Sequence, residues 1–323
     1  MPILPHESVP TPYWQFNGHL QTIAPNFHRE VNDVSYHRER IATWDDDFLD
    51  LDWSTRDSKT VVILSHGLAG SSAAPYIKGL VRAINTRGWD ALAWNYRGCS
   101  GEPNKHLYAF HGGKTDDLDW VVRYVHKQYS YDKIFLIGVS MGGNITLKYL
   151  GESKNISTRY IQGAVTISTP VDLNSAAQRL EEKWNRYLYS YRYLRQYKEM
   201  LLQKSNLFAK TKLDLKAILA SANLTEFTRR FIVPCFGFKN LEDYLKSQSS
   251  KPFLKNIRVP TLLINADNDP FLTRTSYPYQ EASKSKYFYF LETNGGGHSG
   301  FATKDSDTYT WSEQKTIRFL EDK

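Results

Sequence analysis

Three residue types that together perform nucleophilic acyl transfer are spread along the chain: a serine, an aspartate and a histidine. Ser140 lies in "GVSMGG", Asp269 in "ADNDPF" and His298 in "GGGHSG". A histidine can take the proton of a serine hydroxyl, and a carboxylate can orient that histidine and stabilise its charged form. If the fold brings the three side chains together, they form a catalytic triad that can attack an acyl carbon.

Ser140 is predicted to be the nucleophile. The pattern Gly138-x-Ser140-x-Gly142 follows an apolar stretch and precedes a helical pattern, which is the setting of a nucleophile elbow. On such a strained turn the hydroxyl stands clear of the sheet, and the two glycines let strand and helix approach closely. The alternative is a glycine-rich turn between strand and helix that has no chemical role.

Two backbone N–H groups are predicted to hold the oxyanion of the reaction. One belongs to the residue after the nucleophile, Met141, and the other to the loop "HGLAGSS" that follows an earlier apolar run. Within that loop we assign the donor to Leu68. His66 at the start of the loop is predicted to order the turn and not to act as the base.

The triad acid is expected in "INADNDPFL", after the next-to-last predicted strand, where both Asp267 and Asp269 qualify. We prefer Asp269, because the following Pro-Phe-Leu turns the chain and leaves this carboxylate at the loop apex. Asp267 is then expected to hydrogen-bond the turn backbone, a common role of aspartate in turns. Asp172, after an earlier strand, is a weaker third candidate.

His298 is predicted to be the base, which gives the chain order serine, aspartate, histidine. The glycines 295–297 directly before it would let a short loop bring the imidazole over the serine with little side-chain bulk. The spacing Gly295-x-Gly297-x-x-Gly300 also satisfies a dinucleotide-binding fingerprint. We reject that interpretation, because the match follows the last strand and no βαβ unit comes after it. No cofactor is therefore predicted.

The segments that would position these residues alternate between short apolar runs and helical patterns. This alternation predicts an α/β fold with a mostly parallel central sheet flanked by helices. The predicted strands span 60–66, 91–97, 133–140, 163–169, 260–267 and 287–293. The predicted helices between them span 74–88, 115–129 and 142–153. Residues 35–53 are expected to add an antiparallel edge hairpin.

Residues 172–250 break this alternation with a long helical pattern rich in Tyr, Trp, Arg and Lys. We predict a helical cap here, inserted into a core domain made of residues 1–171 and 251–323. Tyr187, Tyr191 and Leu194 fall at helical spacing and are expected to share one face. The apolar side of the cap would line an acyl pocket, and its basic side could contact anionic membrane peripherally.

Composition narrows the class of protein. The 323 residues carry a formal net charge of +7, yet no zinc-finger spacing, basic heptad region or aromatic RNA-binding signature supports nucleic-acid binding. Cys99 and Cys235 are too few and too far apart for a disulfide framework, and the proline-broken N-terminus does not read as a signal peptide. We therefore expect a cytoplasmic location. No metal-ligand motif occurs.

Taken together, these stretches resemble the YheT-like family of serine hydrolases within the α/β-hydrolase superfamily. The motifs that carry the resemblance are "GHLQTI" (18–23), "SHGLAGSS" (65–72), "NYRGCSGEPN" (95–104), "GVSMGGN" (138–144), "PTLLINADNDPF" (260–271) and "GGGHSGF" (295–301). The resemblance implies an esterase or acyltransferase with its catalytic roles at Ser140, Asp269 and His298. Two departures are a leucine at 245, where the family usually has tyrosine, and the absence of a glycine from "WDDDFLDLDW" (44–53).

The sequence thus predicts a serine hydrolase that cleaves small carboxylic esters with short or medium acyl chains, acylglycerols among the candidates, through an acyl-enzyme. The first alternative is an acyltransferase in which an alcohol replaces water at the same triad. The second is a non-catalytic protein on the same fold that binds a lipid or membrane surface. The oligomeric state is not predicted.

Overall fold

The computed structural model describes residues 2–108, 110–152, 156–304, 306 and 308–323. These residues form one sheet of nine strands. The strands are β1 Glu7–Ser8, β2 His37–Ala42, β3 Phe48–Ser54, β4 Thr60–Ser65, β5 Asp90–Trp94, β6 Lys133–Val139, β7 Ile161–Ile167, β8 Thr261–Ala266 and β9 Phe288–Asn294. Their order across the sheet is β1-β9-β8-β7-β6-β4-β5-β3-β2.

Across the sheet, the seven strands β1, β9, β8, β7, β6, β4 and β5 run parallel to one another. Strands β3 and β2 extend this sheet at one edge as an antiparallel hairpin. The predicted α/β fold with a mostly parallel sheet is therefore confirmed. All six predicted strands and the edge hairpin are present, with ends shifted by up to three residues. In a parallel sheet the carboxyl ends of the strands meet at one edge, and this edge receives the loops that carry the candidate site residues.

The α-helices of the described residues number thirteen. They are α1 Gly18–His28, α2 Pro75–Thr86, α3 Asp116–Gln128, α4 Met141–Gly151, α5 Leu173–Glu181, α6 Lys183–Asn185, α7 Tyr191–Leu202, α8 Leu215–Leu219, α9 Leu224–Phe227, α10 Val233–Cys235, α11 Leu241–Gln248, α12 Tyr279–Ser283 and α13 Trp311–Glu321. The predicted helices correspond to α2, α3 and α4. Residue 153, the predicted end of the third, lies outside the described residues.

Helices cover both faces of the sheet, which explains why its central strands are apolar throughout. Leu118 of α3 and Ile145 of α4 pack in the cluster on one face. On the other face, Leu80 of α2 and Ile317 of α13 pack in a second cluster. Burial of this apolar surface is the main free energy that holds the elements in register.

Residues 172–250, called the helical insertion below, lie between β7 and β8 and form helices only, α5 to α11 with short 3₁₀ and π-helical turns. The insertion has a hydrophobic cluster of its own, in which Leu201, Phe227 and Phe231 are almost fully buried. The division of the chain into a core domain and a separate cap domain stays a prediction.

The expectation that Tyr187, Tyr191 and Leu194 share one face is wrong. Leu194 is buried in the cluster of the insertion, whereas Tyr187 and Tyr191 are exposed. Residues Arg186–Ser190 form a π-helical turn, which adds residues to the turn and rotates the side chains that follow. The regular 3.6-residue spacing on which the expectation rested is therefore interrupted at this point.

Within the described part of the chain, no helix combines the length and the apolarity that a bilayer-crossing segment needs.

Candidate active site

Ser140 lies on a sharp turn between β6 and α4. Its backbone has φ +55° and ψ −118°, a conformation that is costly for a residue with a side chain. The flanking glycines make the turn possible. A Cβ atom at Gly142 would lie 2.2 Å from the carbonyl oxygen of Ser65, and one at Gly138 would lie 2.5 Å from that of Gly142. The turn therefore has the crowded geometry expected of a nucleophile elbow.

His298 connects Ser140 to Asp269. Its Nε2 lies 2.8 Å from Ser140 Oγ, and its Nδ1 lies 2.8 Å from one carboxylate oxygen of Asp269 and 3.1 Å from the other. An ionised carboxylate only accepts hydrogen bonds, so Nδ1 must carry the proton and Nε2 is free to accept one from the serine hydroxyl. Both His298 and Asp269 are buried. The three residues singled out from the sequence thus form one hydrogen-bonded line.

The two other candidate acids have different partners. Asp267 accepts a hydrogen bond from the backbone N–H of Gly295 at 2.9 Å, so its carboxylate supports the turn before the histidine. Asp172 caps the N-terminus of α5 by accepting from the N–H groups of Asn174 and Ser175. Only Asp269, among these three carboxylates, contacts His298.

The loop after β4 brings Leu68 close to the serine. A Cβ atom at Gly67 would lie 3.3 Å from the Cβ of Ser140, and both Leu68 and Met141 line the cavity that contains the serine hydroxyl. Neither amide has an acceptor within the described residues. Two unpaired donors beside a nucleophile are suited to bind a developing negative charge.

His66 is buried beneath this loop. Its Nδ1 donates to the carbonyl oxygen of Gly67 at 2.8 Å, and its Nε2 accepts from the N–H of Tyr96 at 3.2 Å. Burial lowers the pKa of His66 to about 4, because desolvation opposes the charged form more than the Gly67 hydrogen bond favours it. A neutral histidine with both nitrogens bonded to backbone orders the turn, as its predicted structural role requires.

The glycine run before His298 has left-handed backbone at every position, with φ of 79°, 133° and 61° for Gly295, Gly296 and Gly297. The space around these glycines is also too small for side chains. A Cβ atom at Gly296 would lie 2.5 Å from the ring of Phe301, and one at Gly297 would lie 2.8 Å from the amide nitrogen of Thr22. The run is therefore needed both for its backbone angles and for close packing against helix α1.

Helix α1 is the part of the site that sequence reasoning missed. The buried side chain of Gln21 accepts hydrogen bonds from Asn268 Nδ2 at 2.9 Å and from the N–H of Gly296 at 2.7 Å. Thr22 accepts from the N–H of His298 at 2.8 Å. The helix thus joins the loop of the acid to the loop of the histidine. Both Gln21 and Thr22 belong to the motif "GHLQTI" (18–23).

Two cavities meet at Ser140. One is an open cleft of about 820 Å³, lined in part by Phe27 of α1 and by Leu188 and Arg192 of the insertion. The other is a narrow apolar cavity of about 150 Å³, lined mainly by residues of the insertion such as Phe227 and Leu245. A molecule held at Ser140 would thus have a small apolar cavity on one side and a larger open cleft on the other.

Comparisons with known proteins identify the fold and the family of the chain. A family model described as "alpha/beta hydrolase fold" matches residues 60–305. YheT of Escherichia coli (strain K12), whose name describes an esterase, is 32% identical over 88% of this chain and 84% of its own length. Phospholipase ABHD3 of Homo sapiens is 28% identical over 93% of this chain and 75% of its own length.

A solved structure of the esterase Pf2001 from Pyrococcus furiosus has the same fold. It superposes with a TM-score of 0.61 at 18% identity and covers 98% of this chain and 99% of its own. The order of the strands in the sheet and the sequence similarity lead to one conclusion. This chain belongs to the α/β-hydrolase superfamily and, within it, to the YheT-like family.

Proposed function

We propose that the protein is a serine hydrolase that cleaves carboxylic esters through an acyl-enzyme. The observation that carries the proposal is the hydrogen-bonded line from Ser140 through His298 to Asp269, at the meeting point of two cavities. The relatives support the reaction class, because they are named as an esterase and a phospholipase, which both act on esters.

Acylation would begin when Ser140 Oγ attacks the ester carbon. As the new C–O bond forms, the hydroxyl proton passes to Nε2 of His298, whose charge Asp269 stabilises. The negative charge on the former carbonyl oxygen would be held by the N–H groups of Leu68 and Met141. Collapse of this intermediate breaks the bond to the alcohol, which leaves with the proton from His298.

Deacylation would repeat these steps with water. His298 removes a proton from water, the resulting hydroxide attacks the acyl carbon, and the bond to Ser140 breaks as its oxygen regains the proton. The products are a carboxylic acid and the free serine. An alcohol in place of water would give acyl transfer by the same path.

The narrow apolar cavity suggests short to medium acyl chains. Its volume of about 150 Å³ matches that of an engineered apolar cavity that binds benzene, which points to an acyl group of about six carbon atoms. The alcohol part of the ester would occupy the open cleft, which is large enough for a glycerol-based group. This division favours a carboxylesterase over a lipase of long-chain fats.

We also propose that residues 172–250 act as a cap over the core formed by residues 1–171 and 251–323. The insertion supplies most of the apolar cavity, and Asn185 donates a hydrogen bond to the carbonyl oxygen of Pro270, next to the acid. A cytoplasmic location remains part of the proposal, since Cys99 and Cys235 are both free thiols.

A chain-length series tests this function. Purified protein is assayed with p-nitrophenyl acetate, butyrate, hexanoate, octanoate and palmitate, with and without added glycerol as acyl acceptor. We expect the highest kcat/KM between butyrate and octanoate and at least about tenfold lower values for palmitate. Absence of hydrolysis with all five esters would contradict the proposed reaction, and a maximum at palmitate would contradict the acyl pocket.

A further inference from the structure

A group of exposed aromatic and apolar side chains comes from two segments of the chain, residues 14–27 and 184–191, and two of its members line the open cleft. We call it the aromatic rim and define it as Trp14, Phe27, Trp184, Tyr187, Leu188 and Tyr191. Phe27, Trp184 and Tyr187 are the most exposed, at 70%, 67% and 72%. Groups of large aromatic side chains that are exposed to water are uncommon on protein surfaces. Where such groups occur, they mark binding surfaces.

Two parts of the chain that are far apart in sequence contribute to the rim. His19 of α1 and Tyr189 of the insertion join them, with stacked rings and 3.0 Å between His19 Nδ1 and the tyrosine oxygen. Tyr189 also packs edge-on against Phe271, whose ring lies 4.1 Å from that of His298. These contacts connect the segments that carry the rim to the candidate site.

The rim is continuous with the cleft. Phe27 and Leu188 are rim residues that also line the cleft containing Ser140. Trp184 and Tyr191 lie four residues before and three residues after Leu188 in the helical segment 183–202, and both side chains are exposed. A surface that covered the rim would thus lie across the opening through which a substrate reaches the serine.

The charge of the rim selects the kind of partner. Residues 183–198 contain five basic and no acidic side chains, and residues 13–28 contain no acidic side chain. Lys183 lies over the ring of Trp184 and Arg186 over that of Tyr191, at 6.0 and 5.5 Å from the ring centres. Within the described residues, Arg192 at the cleft has no carboxylate partner. Tryptophan and tyrosine among basic side chains suit the headgroup region of an anionic bilayer.

We propose that the aromatic rim binds the surface of an anionic lipid aggregate, so that the cleft opens toward the lipid. The proposal rests on the proposed ester hydrolysis and adds the physical state of its substrate: an ester presented at a lipid surface. The aromatic rings enter the headgroup region, and the basic side chains neutralise lipid phosphates. No conformational change of the insertion is required.

Vesicle sedimentation with the full chain tests the proposal. Wild type is mixed with vesicles of phosphatidylcholine alone, or with one third phosphatidylglycerol, at low and high salt. We expect binding to the anionic vesicles, at least about tenfold weaker binding to the neutral ones, and weakening by salt. The variant Trp184→Ser/Tyr187→Ser should lose at least about tenfold in affinity for the anionic vesicles.

The matched control is Tyr287→Ser, which removes an exposed tyrosine just before β9, at the end of the sheet away from the site. It should bind vesicles as wild type does. Hydrolysis of the soluble ester p-nitrophenyl butyrate should stay unchanged in both variants. That assay separates the two proposals, since loss of vesicle binding with retained hydrolysis concerns the rim alone.

Four results would overturn the proposal. Wild type that hydrolyses the soluble ester but does not sediment with anionic vesicles has no lipid-binding rim. A rim variant that sediments like wild type would assign binding to another surface. The same conclusion would follow if Tyr287→Ser lost as much affinity for anionic vesicles as the rim variant does. If the rim variant instead changes the molecular mass measured by light scattering, the rim is an interface between two copies of this chain.

Discussion

The backbone N–H of His298 donates a hydrogen bond to the side-chain oxygen of Thr22, and these two atoms lie 2.8 Å apart. The residues are separated by 276 positions in sequence. Thr22 in turn donates to the carbonyl oxygen of Gly18, which fixes its hydroxyl on helix α1. The orientation of the candidate base thus depends on a helix that contributes no catalytic side chain.

The variant Thr22→Val tests this positioning role. Valine has nearly the same shape but cannot accept the hydrogen bond, so the loop of His298 should shift. We expect kcat for p-nitrophenyl butyrate to fall by about tenfold or more, with KM changed less than about twofold. Thr22→Ser keeps the hydroxyl and should restore kcat to near wild type. Equal kcat in the valine and serine variants would contradict the role.

The choice of acid is tested by comparing Asp269→Asn with Asp267→Asn. At position 269 the amide no longer holds the histidine in the required tautomer, and a loss of about 10⁴-fold in kcat is expected by analogy with the serine-protease triad. At position 267 the amide oxygen can still accept from Gly295, so the loss should stay below about tenfold. The reverse ranking in steady-state kinetics would transfer the acid role to Asp267.

Much of this arrangement is readable from the sequence because the signals are local. The apolar run at 60–66 predicts a buried parallel strand, and the glycines around Ser140 predict a turn between strand and helix. The bonds that Gln21 and Thr22 make to the histidine loop leave no such pattern, since each joins a side chain to a backbone group hundreds of residues away.

The one wrong expectation concerned the face shared by Tyr187, Tyr191 and Leu194. A sequence spacing converts into a shared face only if the helix keeps 3.6 residues per turn, and a π-helical turn removes that condition. Nothing in the residue types of 186–190 marks such a turn. Tyr187 and Tyr191 are exposed and belong to the aromatic rim.

Leu245 provides a test of the acyl cavity. Its side chain is buried and lines the narrow cavity. Leu245→Tyr should fill part of the cavity and lower the kcat/KM ratio of octanoate to butyrate esters by about tenfold or more. Leu245→Met keeps the volume and serves as the control. A ratio unchanged by tyrosine in a folded variant would place the acyl group elsewhere.

His66 makes stability depend on pH. Its pKa of about 4 in the folded protein lies below the ordinary value of 6.5, so the unfolded chain binds the proton more readily. The neutral His66 side chain therefore adds about 3 kcal/mol to the free energy of unfolding above pH 6.5. This stabilisation is lost as the pH falls from 6.5 toward 4.

Urea unfolding at pH 7.5 and pH 4.5 measures this effect. His66→Gln should show a smaller loss of unfolding free energy between the two pH values than wild type does. His37→Gln, which changes an exposed histidine, should show the same loss as wild type. If all three proteins lose the same amount, the buried histidine is not the source of the pH dependence.

The identity of the residue that becomes covalently modified tests the central claim most directly. Wild-type protein is treated with a fluorophosphonate and examined by intact and peptide mass spectrometry. A single adduct on Ser140 is expected, with none in Ser140→Ala and at least about 10³-fold slower labelling in His298→Ala. Folded wild-type protein that takes no label, or a Ser140→Ala variant that is still labelled at the wild-type rate, would contradict the account.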